Sequence, residues 1–227
     1  MTFDADSLLS ASHPPRITLG QSSSVLAELE QSHLALANRE LIGLALPYES
    51  LAGAVLMGCN LRHANLQGAD LSDANLIASS LRLANLQGAI LTRAQLHRCN
   101  LSEANLQDLE ANQAQLQQAI FTDTEAQGIA LYQADLSNAK LIQAHLQTAY
   151  APDANFSNVQ ATAIDLRWAN LKRANFRYAD LRQANFRGAN LSHGDLTGAI
   201  LTGADLTGAI LYKTHFQQAE LTNAKFD

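Results

Sequence analysis

The chain has 227 residues, of which 47% are hydrophobic, 16% charged and 6% aromatic, and its formal charge is −6. Typical globular domains carry roughly 25% charged residues, so uncharged polar side chains must cover much of this surface. The negative balance argues against a nucleic-acid backbone binder, which depends on Lys and Arg, and no apolar run reaches the ~18 residues of a membrane span.

Residues 1–21 begin with the acidic Met1-Thr-Phe-Asp-Ala-Asp and contain Ser-Ala-Ser-His-Pro-Pro at 10–15. They read as a poorly structured tail without the basic n-region of a secretory signal, and a cytoplasmic protein is expected. Residues 22–33 read as a short helix, with Ser24 as N-cap before Leu26 and Leu29. Its expected task is to cover the apolar end of the segment C-terminal to it.

From 34 to 227 the sequence repeats every five residues. Of the thirty-six positions reached in fives from Leu51 to Phe226, thirty-two are Leu or Phe; the exceptions are Ala111, Ala126, Ala151 and Ala161. Two residues before each of these centres the residue is nearly always small, and the residue immediately before is often Asn or Asp, as at Asn65, Asp70, Asn75 and Asp135. Ten of the twelve glycines lie two after a centre. A period of five suits neither a helix nor an extended strand. It suits a coil that turns a corner in each repeat, with the centre and the small residue inside and the other three positions outside. Glycine belongs at such corners because a type II turn requires φ > 0 there, and Asn or Asp can bond local backbone. Single repeats cannot bury their Leu, so stability must come from stacking.

Ala69-Asp70-Leu71-Ser72-Asp73, Ala174-Asn175-Phe176-Arg177-Tyr178 and Ala204-Asp205-Leu206-Thr207-Gly208 resemble the A-(D/N)-(L/F)-x-x motif of pentapeptide-repeat proteins. The resemblance implies an all-β solenoid: a right-handed quadrilateral β-helix with twenty residues per coil, hence about nine to ten coils here. Cys59 and Cys99 would then share a column two coils apart, about 9.6 Å at the usual strand spacing, beyond the ~7 Å that a disulfide spans. Free core thiols are expected.

No phosphate loop, dinucleotide fingerprint, nucleophile elbow or HExxH motif is present. The histidines of the repeats, His63, His97, His145, His193 and His215, fall on different faces or heights and form no ligand pair. Neither enzyme activity nor a cofactor or metal is expected. What can carry function is the surface. Residues 103–165 hold eight acids against Lys140, and 167–187 hold Arg167, Lys172, Arg173, Arg177, Arg182 and Arg187 against Asp180. In the twenty-residue register that basic run is a belt, with Arg173 directly above Asp153. The defects cluster in residues 109–164: Leu109 and Val159 offset the volume lost at Ala111 and Ala161, whereas Ala126 and Ala151 lack such a neighbour. Tyr132, Tyr150, Pro152 and Trp168 are expected to form one outward aromatic patch beside the belt. With Arg167, Lys172, Arg173 and Arg177 they make up the expected partner-binding surface. Phe216 and Phe226, near the C-terminal edge, fit either a monomer with a solvated edge or an end-to-end homodimer.

Within the family the resemblance implies two functions. The first is a non-catalytic scaffold or regulatory adaptor that presents a rigid face to a protein partner, with no direct nucleic-acid or membrane binding, as in long uninterrupted cyanobacterial members. The second is a DNA-mimicking protector of gyrase or topoisomerase, as in quinolone-resistance members. The basic belt and the lack of interrupting loops favour the adaptor.

Overall fold

The computed structural model describes residues 36–227. The tail expected over 1–21, the helix over 22–33 and the first two positions of the repeat segment lie outside these residues.

Parallel bridges join residue to residue at a constant offset of twenty, from Glu40 with Asn60 to Asp205 with Lys225. Four turns per twenty residues give the right-handed quadrilateral β-helix. The whole backbone can be accounted for in one repeat. The amide of Leu71 donates to the Ile90 carbonyl (2.7 Å) and that of Asp73 to Thr92 (3.0 Å), both one coil ahead. The Asn75 amide donates backward to Ala54 (2.9 Å), and Ala74 closes the turn on Leu71 (3.0 Å). The remaining donor, the Ser72 amide, meets the Asp70 carboxylate at 2.9 Å. Asn or Asp before the centre therefore satisfies the one amide in five that neither the ladder nor the turn can reach.

Two prolines solve the same problem by deletion. Pro47 and Pro152 occupy the position of Ser72 in their own repeats, after Ala45 and Tyr150, neither of which can accept that bond. Proline has no N–H to orphan, and its fixed φ suits the first corner residue of a type II turn.

Glycine was expected at the corners, but left-handed backbone is general there. Every second corner residue from Asn38 to Asn223 has positive φ, and twenty-eight of these are not glycine, with φ of 55–61°. A left-handed residue other than glycine costs roughly 1–2 kcal/mol, while burying a Leu or Phe gains roughly 1.5–3 kcal/mol. One buried centre per repeat thus lets almost any side chain occupy the corner.

The core is a single column of the inward positions, with Leu61, Leu66, Leu71 and Leu76 all 0% exposed. Phe156 and Phe176 stack with centroids 4.7 Å apart and 5° between planes, and Phe186 meets Phe176 edge-on across the core at 5.9 Å. The alanine centres Ala151 and Ala161 flank Phe156 in sequence, and Ala126 is followed by the buried Ile129. These larger neighbours answer the expected volume deficits at Ala126 and Ala151. Cys59 and Cys99 are buried and free. Cys59, Ser79 and Cys99, in one column, each donate to the carbonyl twenty-three residues earlier, Leu36, Leu56 and Leu76, at 2.6 Å. Burial pushes the Cys99 thiol up to about 12.

Candidate interaction surface

Each coil offers three outward positions per repeat: two at the corner and one on the flat face between corners. Arg167 and Trp168 share a corner, Asn170 lies on the next face, and Lys172 and Arg173 hold the following corner. Arg177 and Tyr178 are on the corner diagonally across the coil from Trp168. Tyr150 pairs in register with Asn170 above it and Ala130 below it, while Tyr132 and Pro152, twenty apart, occupy the corner column beneath Lys172. The coil therefore brings Tyr132, Tyr150, Pro152, Lys172 and Arg173 onto one face and its edge.

The expected single aromatic patch is not what forms. Pro152 is buried and Tyr132 only half-exposed. Trp168 is 69% exposed, but it stands one coil above Tyr150 and its ring lies on Gly188 of the coil beyond. A Cβ on Gly188 would be 2.2 Å from the indole Cε3 and Cζ3. No ring contact joins Trp168 to Tyr150 or Tyr132 among the described residues.

The same arrangement recurs twice at residues that sequence reasoning passed over. Tyr48 lies on Gly68 and Tyr178 on Gly198, at 2.4 and 2.5 Å from the position of an added Cβ, and both tyrosines are well exposed. An aromatic twenty residues before a glycine is the signal that finds all three. The ring shields backbone that the glycine leaves bare, and in return its inner face is fixed against a rigid platform. The Arg177 guanidinium adds a cation–π contact to Tyr178 at 5.5 Å from the ring centroid.

The basic belt is paired nearly throughout. Arg173 holds Asp153 one coil below at 2.5 Å, as its register requires, and Arg167 holds Asp165 at 2.7 Å. Arg177, Arg182 and Arg187 reach Asp195, Asp180 and Asp205 at 2.9, 2.5 and 3.4 Å. The Arg173 guanidinium keeps the Asp153 carboxyl below its usual range, and Arg182 does the same for Asp180. Lys172 has no ion pair among the described residues. The belt consequently presents hydrogen-bonded pairs with little free positive charge.

The last described coil exposes apolar side chains among polar ones such as Lys213, Gln217, Gln218 and Glu220. Ile210 and Tyr212 are well exposed there, and Phe216 meets Phe226 edge-on at 6.3 Å across the end of the core. Groups of three or more His, Cys, Asp or Glu side chains placed to hold a metal are absent among the described residues.

This geometry has close counterparts among solved structures. HetL, a pentapeptide repeat protein involved in heterocyst differentiation regulation from the cyanobacterium Nostoc sp. strain PCC 7120, superposes with a TM-score of 0.82 at 28% identity, over 89% of this chain and 93% of its own. QnrB1, a plasmid-mediated fluoroquinolone resistance protein, gives a TM-score of 0.57 at 24% identity over 82% of this chain and 90% of its own, a likeness of fold. No curated protein matches the sequence. The pentapeptide-repeat signature matches overlapping stretches that run from residue 48 to residue 227, and with that span and this architecture the chain belongs to the pentapeptide-repeat family.

Proposed function

We propose that this protein is a non-catalytic adaptor that presents a rigid β-helix surface to a protein partner. The observation that carries the reading is the mounting of Trp168, an exposed aromatic fixed in advance on the backbone of Gly188. Binding through such an anchor orders little that is not already ordered, and aromatic anchors dominate interface energetics. The extended likeness to HetL, a regulatory protein by description, supports the same reading. Tyr150 and Lys172 extend the surface from the Trp168 corner onto the neighbouring face. Affinity capture with the wild type and with the Trp168→Ala/Tyr150→Ala variant tests it: the variant loses the partner that the wild type retains. Equal retention overturns the reading.

A second reading, protection of gyrase by imitation of duplex DNA, draws on the acidic residues between 103 and 165. The paired arginines beyond them interrupt a continuous acidic rod, so the adaptor is the better supported of the two. Supercoiling by gyrase with and without a quinolone decides: no protection at micromolar protein removes the second reading. The exposed rim around Phe216 and Phe226 further supports end-to-end pairing of two copies, and sedimentation as a monomer at high concentration would exclude it.

A further inference from the structure

From residue 127 onward, one side of the coil is nearly free of acids. It is the side that carries Tyr150, and with its two corners it comprises residues 127–133, 147–153, 167–173, 187–193 and 207–213. These stretches hold five cations, Arg167, Lys172, Arg173, Arg187 and Lys213, against one acid, Asp153, a net +4 in a chain whose formal charge is −6. Asp153 is taken by Arg173 through two bonds, and Arg167 and Arg187 turn away to Asp165 and Asp205 on the adjoining side. Lys172 and Lys213 have no ion pair among the described residues. Lys172 is exposed between Pro152 below and Ser192 above, both buried, and the Lys213 ammonium stands 5.2 Å from the ring centroid of exposed Tyr212. Along the middle of the side run Tyr150, Asn170, Asn190 and Ile210, consecutive rungs of one parallel ladder. The side-chain oxygens of the two asparagines accept the Lys172 and Ser192 amides at 3.3 and 3.0 Å. Their Nδ2 groups meet no protein acceptor among the described residues. The end residues of the row, Tyr150 and Ile210, are both well exposed.

We propose that this side docks a short acidic segment of the protein partner. Charge complementarity sets the occupant. Two unpaired ammonium groups and two free amide donors call for carboxylates and carbonyls, and the one carboxylate on the side is already neutralised by Arg173. Tyr150 and Ile210 at the two ends add apolar contact, as in the core of an interface patch. Three rungs of ~4.8 Å separate Tyr150 from Ile210, a span of about 14 Å that about four or five residues of extended chain cover. A nucleic acid is the poorer occupant: affinity for a phosphate backbone grows with the number of phosphates neutralised, and only Lys172 and Lys213 are uncommitted here. The docking side deepens the adaptor reading and rests on it, since it specifies the chemistry that the partner lays beside the Tyr150 and Trp168 anchors.

The test uses the full chain and an acetylated, amidated Glu-Glu-Leu-Glu-Glu peptide, monitored by NMR. Saturable shifts are expected at Tyr150, Asn170, Asn190 and Ile210; shifts confined to other residues, or none, overturn the proposal. Because the chain as a whole is negative, binding of an acidic probe requires a local positive site. Lys172→Gln/Lys213→Gln should weaken binding at least about fivefold, the combined worth of two exposed ion pairs. Both changes suit the fold: glutamine holds the repeat position of Lys172 at Gln67 and Gln87, and the left-handed position of Lys213 at Gln113 and Gln133. Lys140→Gln/Lys225→Gln removes the same charge from other sides of the coil and should change binding less than about twofold. Equal weakening by the two double variants, or equal binding of a Gln-Gln-Leu-Gln-Gln peptide, overturns the acidic occupant. So does tighter binding of single-stranded oligo-dT at the same four residues. Affinity capture separates this proposal from the adaptor reading. If Lys172→Gln/Lys213→Gln keeps a partner that Trp168→Ala/Tyr150→Ala loses, the acidic segment is overturned and the adaptor stands. If the acidic peptide binds as expected but Trp168→Ala/Tyr150→Ala loses no partner, the anchors fail and the docking side stands.

Discussion

At the scale of single residues, this fold assigns different costs to positions that look alike in sequence. Gly88 and Gly188 both have φ near 65°, at 63° and 67°, yet a Cβ on Gly88 meets nothing within 4 Å whereas on Gly188 it strikes the Trp168 ring. Gly88→Ala should cost only the backbone strain, roughly 1–2 kcal/mol. Gly188→Ala should cost about 1 kcal/mol more, because the ring must leave its platform. Denaturant midpoints measure both, and fluorescence of Trp168, the only tryptophan, reports the displacement. Cys99 gives a pH signature. Its thiol is held neutral up to about 12 by burial, whereas an unfolded Cys titrates near ~8.5. The folded pKa is the higher one, so the contribution is intact below the unfolded value and is lost as pH rises toward 12. Cys99→Ser should reduce the alkaline loss of stability relative to wild type. Ser79 already makes the same bond in the same column, so the hydroxyl has an acceptor waiting. Urea titrations at pH 7 and pH 10 check the difference.

At the scale of the repeat, the side chains that matter act between coils rather than along the chain. Asn65, Asn85 and Asn105 form an amide ladder, with bonds of 3.4 and 3.2 Å, and each also caps a turn in its own coil. Asp73 with Arg93 and Asp153 with Arg173 bridge neighbouring coils through two-pronged contacts. Both carboxyls are held below their usual range by the arginine bonds. A depressed folded pKa contributes stability above the unfolded value of about 3.9 and loses it as pH falls. Asp153→Asn should therefore lose less stability than the wild type between pH 5 and pH 3, roughly the range in which carboxylates protonate. Thermal unfolding in low salt is the measurement, since salt screens exposed pairs. The vertical pair Asp153–Arg173 was legible in the sequence once a coil of twenty was adopted. The pairing of Arg177 with Asp195 and Arg187 with Asp205 was not, because these bonds span eighteen residues and connect a corner to the face of the adjoining coil.

At the scale of the whole molecule, the protein is a stack in which each coil meets only its neighbours, and stability should vary with position along it. Leu96, fully buried in mid-stack, should cost about 2–5 kcal/mol when changed to Ala. Leu211, only partly buried in the last described coil, should cost less than about half of that, because one side of its site is already open. Circular dichroism during denaturation would show this, and a broadened transition for Leu96→Ala would mark the stack dividing at the cavity.

The sequence by itself determined the coil, its inward and outward positions, the free thiols and the family. A five-residue period with one apolar centre leaves a single geometry in which every centre is buried, and that choice fixes which residues stack. Only the tertiary structure decided what the outward side chains do. The register puts Trp168 on its corner, but the direction of the ring depends on the residue twenty positions later. Because that residue is Gly188, the ring lies flat on the next coil instead of joining Tyr150. The register likewise puts Pro47 and Pro152 at the same repeat position, yet Pro152 is buried and Pro47 only half-buried, a difference that the coils around each one decide. The arginines of the belt can be counted in the sequence, but whether a charge is free depends on what the adjoining coil presents within about 3 Å, the reach of a charged hydrogen bond. Burial along this chain is a property of the repeat, whereas exposure of an outward group is a property of pairs of coils, and pairs exist only once the coils are stacked.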